Sequence, residues 1–176
     1  MEGPFLIEPA VHGDARGFFV ETYRAAALAD RGIVHEWVQD NHSRSAYGVL
    51  RGLHFAVDPG QAKLVRCARG AIRDIVVDLR VGSPTFGQWQ AEVLDDVSHA
   101  QLYVPVGFAH GFVVTSDVAD VVYKCSAYYD GAKERSLAWD DPEVGIEWGV
   151  ADPLVSDRDR TAPRLQAIRD SLPFRT

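Results

Sequence analysis

Cysteine is scarce in this chain. Cys67 and Cys125 are the only two among 176 residues. A disulfide framework is therefore not expected, and a chain of this length buries roughly two thirds of its unfolded surface without one. Both thiols fall in β-like runs, Leu64-Val65-Arg66-Cys67 and Tyr123-Lys124-Cys125, and read as buried free cysteines. Positive charge is also short: 18 Lys and Arg against 25 Asp and Glu leave a net charge of −7. General binding to nucleic acid or to an acidic membrane needs a basic face, so neither partner is expected. One small anionic ligand is not excluded, because a pocket needs only a few local cations. Long hydrophobic runs are absent too. The longest stretch without Asp, Glu, Lys or Arg, Val97 to Ser116, holds His99, Pro105, Gly107 and His110 and does not read as a membrane span. The opening Met1-Glu2-Gly3-Pro4 has neither the basic nor the apolar region of a signal peptide, so the expected location is the cytoplasm.

What is present is ordinary globular composition, 47% hydrophobic and 24% charged, with no repeat, low-complexity tract or linker. One domain over residues 1–176 is expected. Short runs rich in Val, Ile, Phe and Tyr recur: Phe18 to Tyr23, Gly48 to Phe55, Ala71 to Leu79 and Ala119 to Cys125. Turn signals separate such runs, at Asp58-Pro59-Gly60, Gly82-Ser83-Pro84 and Tyr129-Asp130-Gly131. This punctuation predicts an all-β sandwich or barrel. Helix signals are confined to Arg24–Asp30 and Ala162–Ser171, both short and peripheral.

Several residues could carry chemistry. Strict alternation from Leu50 puts Gly52 and His54 on one face and Arg51, Leu53 and Phe55 on the other, unless a bulge intervenes. His110 lies in Pro105-Val106-Gly107-Phe108-Ala109-His110, a P-x-G-x-x-H pattern that resembles the second motif of the cupin superfamily, a β jelly roll. A metal cupin also needs H-x-H with a nearby Glu. Here Phe55 and Ala56 follow His54, and two separated histidines fall short of the usual three-ligand site. No metal is expected. Arg51, Lys63 and Arg66 form a basic cluster in an acidic chain; it reads as a solvated edge or as an oxyanion site with His54 beside it as a base. Tyr123 lies on a predicted strand, where it is either packing or a proton donor. Ser156-Asp157-Arg158-Asp159-Arg160 alone reads as a solvated turn.

Eight segments in one order are more specific than any of these. They are Asp14 to Glu21, Gln39 to Ser43, Gly48 to Phe55, Gln61 to Arg66, Gly82 to Gly87, Pro105 to Phe112, Tyr123 to Cys125 with Tyr129, and Ser156 to Asp159. Together they resemble the dTDP-4-dehydrorhamnose 3,5-epimerase family, from about Phe5 to Phe174. The resemblance implies a cupin-like jelly roll, a homodimer sharing strands across its interface, a dTDP-4-keto-6-deoxy sugar as substrate, and catalysis with no cofactor. By motif match His54 is the base and Asp159 its orienting partner. Lys63 stabilises the enolate oxygen, and Tyr123 is the acid on the opposite face. Arg16, Arg51 and Arg158 match positions that contact the substrate, as suits diphosphate oxygens. Glu21, Gln39, Asn41 and Glu134 match polar contacts, His110 a sugar contact, and Tyr129 the aromatic stacked on thymine. Phe19 is placed at the same end.

One segment departs from the pattern. Many members read H-Y-Q or H-F-Q followed by Pro-Pro, where this chain has His54-Phe55-Ala56-Val57-Asp58-Pro59-Gly60. That variant is similar to some antibiotic-sugar epimerases, several of which invert one carbon. Inversion at both C3 and C5 is the favoured expectation, with single-site inversion beside it. A metal-dependent cupin and a non-catalytic nucleotide-sugar binding module are the more distant alternatives.

Overall fold

A computed structural model describes residues 3–176; Met1 and Glu2 of the opening segment lie outside it. Two five-stranded sheets face each other, the sandwich expected from the strand spacing and the jelly roll that the family resemblance implies. The first has the order β1 (Phe5–Ile7), β9 (Gln101–Val104), β6 (Lys63–Arg69), β11 (Val118–Cys125), β4 (Gln39–Ala46). The second runs β12 (Glu134–Ser136), β5 (Leu50–Ala56), β10 (Phe108–Val114), β7 (Ala71–Asp78), β8 (Trp89–Asp95). Neighbouring strands pair antiparallel throughout both. A separate hairpin, β2 (Val11–Asp14) with β3 (Gly17–Val20), pairs with neither sheet. The predicted run Phe18 to Tyr23 is thus strand only to Val20, and Glu21 to Arg24 leads into α1 (Ala25–Ala29).

Three apolar clusters follow from strand alternation. Val65, Cys67, Ile72, Val76, Leu102, Phe112 and Val121 meet between the sheets. Leu64 and Tyr103 face outward from the first sheet and are covered by Leu28 of α1 and by Ile33. Leu53, Phe55, Ile75 and Val77 face outward from the second sheet and are covered by the C-terminal segment through Leu137, Trp148, Leu165 and Leu172. Burying such side chains contributes about 1.5–3 kcal/mol each. Both cysteines are free and buried, as expected.

The C-terminal segment corrects two expectations. Ala162–Ser171 is not one helix: α3 spans Leu165–Ile168, a 3-10 turn follows over Arg169–Ser171, and Ala162 to Arg164 precede both. Ser156 to Arg160 is solvated at four of its five residues, but it is helical and Asp159 is the exception. Ser156 caps a single helical turn, α2 (Asp157–Arg160), by accepting from the Asp159 N–H at 3.1 Å, and Asp159 is buried.

Candidate active site

The sandwich interior is apolar on the β8–β9 side and polar on the β4–β5 side. There a cavity of about 600 Å³ opens, lined by Ser43, Arg51, His54, Lys63, His110, Tyr123, Arg158 and Asp159 among others. The first sheet contributes Ser43, Tyr123 and Lys63; the second contributes Arg51, His54 and His110.

Arg51 and His54 share the cavity because alternation is broken between them. His54 pairs with His110 and Arg51 with Phe112, so β5 carries one residue more than β10 across this interval. The bulge needs glycine on both strands. Gly52 has φ of +127°, and a Cβ there would stand 2.5 Å from the Gly111 Cα. A Cβ on Gly111 would stand 2.7 Å from the Arg51 carbonyl oxygen. The backbones therefore touch where no side chain fits, and two polar residues turn to the same side.

His54 Nε2 lies 2.7 Å from Asp159 Oδ1. The second carboxylate oxygen accepts from the Gly52 N–H at 3.4 Å. Burial raises the Asp159 pKa, but hydrogen bonds from His54, Ser156 and Gly52 with the His54 charge outweigh it, so the carboxyl stays below its ordinary range. An ionised Asp159 accepts the Nε2 proton and leaves Nδ1 as the basic nitrogen of His54. His110 makes a second pair: its Nε2 stands 2.9 and 3.0 Å from the two oxygens of Asp74, which is fully buried.

Lys63 is buried, with Nζ 6.0 Å from the centroid of the Tyr123 ring. Burial pushes its ammonium below the usual lysine range, against attraction from Cys125, Glu134 and Asp74. Burial also pushes the Tyr123 phenol up, helped by Cys125 and Glu134 and opposed by Arg51 and Asn41. At neutral pH the phenol is therefore protonated. Arg51 donates from Nε to Ser45 Oγ at 3.1 Å. Arg66 does not join this group. It is on the other face of β6 from Lys63, since Leu64, two residues before it, belongs to the outer cluster.

At the cavity rim Arg158 Nη1 donates to Glu134 Oε2 at 2.6 Å. Gln39 accepts from the Tyr129 N–H at 2.8 Å and donates to Asn41 Oδ1 at 3.0 Å. The Tyr129 side chain is exposed. Arg16, Phe19 and Glu21 are not at this cavity. Arg16 is exposed at the hairpin turn and pairs with Asp14; Glu21 pairs with Arg24 at 2.6 Å. Phe19 and Glu21 line a separate recess of about 370 Å³ with Tyr23 and Leu28. Among the described residues, no group of three or more His, Cys, Asp or Glu side chains converges as a metal site would require.

Two residues at the site were not singled out from the sequence. Asp74 is the lone inward carboxylate between Ile72 and Val76, and a charge inside an apolar run signals a buried partner. Ser43 shares a face with Gln39 and Asn41 by simple alternation.

The description that matches this chain, over residues 1–167, is that of dTDP-4-dehydrorhamnose 3,5-epimerase. The chain belongs to that family. It is 50% identical over 157 residues to the dTDP-4-dehydrorhamnose 3,5-epimerase of Pseudomonas aeruginosa, covering 88% of this chain and 87% of the relative. It is also 45% identical over 173 residues to a dTDP-4-dehydrorhamnose 3-epimerase of Streptomyces niveus, covering 97% of this chain and 84% of that one. The fold of this epimerase-family chain superposes with TM-score 0.96 on the Legionella pneumophila 3,5-epimerase solved with dTDP-4-keto-L-rhamnose, at 42% identity, covering 100% and 95% of the two chains.

Proposed function

We propose that this protein epimerises dTDP-4-keto-6-deoxyglucose at C3 and C5, giving dTDP-4-dehydro-L-rhamnose, by acid–base proton transfer through an enolate without a metal. The observation that carries this reading is the His54–Asp159 pair, 2.7 Å apart, on one wall of a cavity whose other wall holds Tyr123 and Lys63. C3 and C5 both flank the C4 ketone, so their protons become acidic once the enolate is stabilised. His54 Nδ1 removes the proton, and Asp159 holds the ring and favours the imidazolium that forms. The desolvated Lys63 ammonium meets the developing enolate oxygen, where low dielectric strengthens the attraction. Tyr123 returns a proton from the opposite wall. Its raised pKa suits an acid that stays protonated until the carbanion forms.

Arg51 and Arg158 take the diphosphate, with Gln39, Asn41, Glu134 and Tyr129 on the nucleoside and His110 on the sugar. Arg158 then exchanges Glu134 for a phosphate oxygen. Arg16, Phe19 and Glu21 reach the site of a second copy. The β2–β3 hairpin is unpaired, Phe18 and Phe19 are 61% and 71% exposed, and β4 has a free edge beside Gln39 and Asn41. A homodimer that covers this edge with that hairpin completes each cavity. We place the enzyme in the cytoplasm, the reducing compartment that its two free, buried thiols suit. No helix among the described residues is long and apolar enough to cross a membrane.

Single-carbon inversion is the second reading, favoured by the identity to the Streptomyces niveus 3-epimerase and by the Phe55-Ala56 sequence after His54. Proton NMR of dTDP-4-keto-6-deoxyglucose with the enzyme in deuterated water separates the two. Loss of both the C3 and C5 signals is expected. Loss of one makes this a single-site epimerase, and no exchange with folded protein overturns the reading. Sedimentation at micromolar concentration tests the dimer, and a monomer there overturns the shared site.

A further inference from the structure

The inward face of β4 presents Gln39, Asn41, Ser43 and Ser45 in a row. Three of them are held within the protein. Gln39 bonds Tyr129 and Asn41, Asn41 donates from Nδ2 to Cys125 Sγ at 3.5 Å, and Ser45 accepts from Arg51. Ser43 Oγ is different. It is the only solvent-shielded side-chain nitrogen or oxygen among the described residues that has no hydrogen-bond partner. Ser43 also lines the cavity that holds His54, Lys63 and Tyr123.

Register locates it further. Tyr123 stands opposite Asn41 and Val121 opposite Ser43. Ser43 is thus one inward position from the Tyr123 level, and Ser45, bonded to Arg51, is the next. Along β4, Ser43 thus stands between the position opposite Tyr123 and the position bonded to Arg51, the groups that the epimerase reading assigns to the sugar and to the diphosphate. Resting on that reading, we propose that Ser43 is a substrate-contacting residue whose hydroxyl bonds an oxygen of the nucleotide sugar between the carbon facing Tyr123 and the phosphate held by Arg51.

The physical argument is one of satisfaction. A shielded hydroxyl without a partner is unfavourable, and alanine would fill nearly the same space without that penalty. The side chain of Ser43 is only half-buried, so rotation about χ1 swings the oxygen from its shielded position into the cavity. A serine hydroxyl donates and accepts, so it serves a sugar hydroxyl or a phosphate oxygen equally.

Ser43→Ala tests this with two readouts that a structural role would move together. Turnover of dTDP-4-keto-6-deoxyglucose is expected to fall about tenfold in kcat/KM, the loss of one neutral hydrogen bond. The melting temperature is expected to stay level or rise. Calorimetric titration with dTDP then identifies the oxygen: weakened dTDP binding places the contact on phosphate, and unchanged dTDP binding with reduced kcat/KM places it on the sugar. Wild-type kcat/KM and wild-type dTDP affinity in the variant overturn the proposal, as does lost activity that merely follows a lowered melting temperature. An inactive wild type overturns the epimerase reading itself, and this contact with it.

Discussion

Two histidine–aspartate pairs stand side by side in this molecule, since His54 and His110 are cross-strand partners on β5 and β10. Their chemistry is the same and their surroundings are not. The His54 side chain is 24% exposed, and its aspartate arrives from α2, 105 residues away in sequence. The His110 side chain is 7% exposed, and its aspartate lies fully buried on the adjacent strand β7. The first pair offers a ring nitrogen to a ligand and can absorb a proton there. The second is almost wholly buried where its ring meets the cavity wall, and Asp74 fixes that ring in one orientation. Access, not residue type, separates a candidate base from a candidate positioning contact.

Removing each ring is the strongest way to break that comparison. His54→Ala is expected to lower kcat/KM by about 10³-fold, the range for loss of a positioned general base, with a modest loss of melting temperature because Asp159 keeps its hydrogen bonds from Gly52 and Ser156. His110→Ala should cost less turnover and more stability, because it leaves the Asp74 carboxylate buried without its partner. Both variants are compared by turnover and by melting temperature. Equal losses of turnover in two equally stable variants would erase the distinction.

The bulge that puts Arg51 and His54 at one cavity is the next target. Gly52→Ala brings a Cβ to 2.5 Å from the Gly111 backbone at a φ of +127°. Backbone, unlike a flexible side chain, cannot step aside, so a loss of about 3 kcal/mol or more is expected. Gly111→Ala, with its Cβ 2.7 Å from the Arg51 carbonyl, should behave alike. Urea midpoints measure both. A Gly52→Ala variant as stable as wild type would show that the two strands do not make this close approach.

How these features were written in the sequence differs. The strands β5, β7 and β11 were legible because β-branched and aromatic residues cluster there between turn signals. β4 was not, since Gln39-Asp40-Asn41-His42-Ser43-Arg44-Ser45-Ala46 holds poor strand formers. Its inward side chains are polar, with Ser43 lining the cavity and the others bonded to polar partners, so apolar alternation never marks it. Asp159 looked like part of a solvated charge run by composition, and only the motif resemblance singled it out. Its burial depends on α2 folding back onto β5, a contact across more than 100 residues that no local pattern encodes. Asp74 is hidden for a related reason: its partner is set by sheet register. The bulge could be anticipated only as a possibility, because glycine at positions 52 and 111 marks close approach only once the strands are paired.

Asp159→Asn sharpens the comparison more finely, because it keeps the shape of the open pair and removes its charge. Turnover is expected to drop about 10²-fold, since an amide that presents N–H to His54 favours the wrong tautomer and does not stabilise an imidazolium. The same variant reports on stability through pH. In the folded protein burial pushes the Asp159 carboxyl up, and the hydrogen bonds from His54, Ser156 and Gly52 bring it down below its ordinary value. A group depressed on folding adds stability above its unfolded pKa, about 3.9, and loses that contribution as pH falls through the folded value. The difference in unfolding free energy between wild type and Asp159→Asn should therefore be largest above about pH 5 and narrow as pH falls below about 3.9 and the folded carboxyl takes up its proton. Asp78 supplies an internal reference. Burial pushes it up, yet Arg80, Ser83 and Thr85 hold it at about 2, remote from α2 and present in both proteins. Its contribution cancels in the difference, so whatever narrowing urea titrations find belongs to the His54 pair. A gap that stays constant across that range would mean that Asp159 is not the ionised partner of His54, and the open pair would lose its claim to the proton.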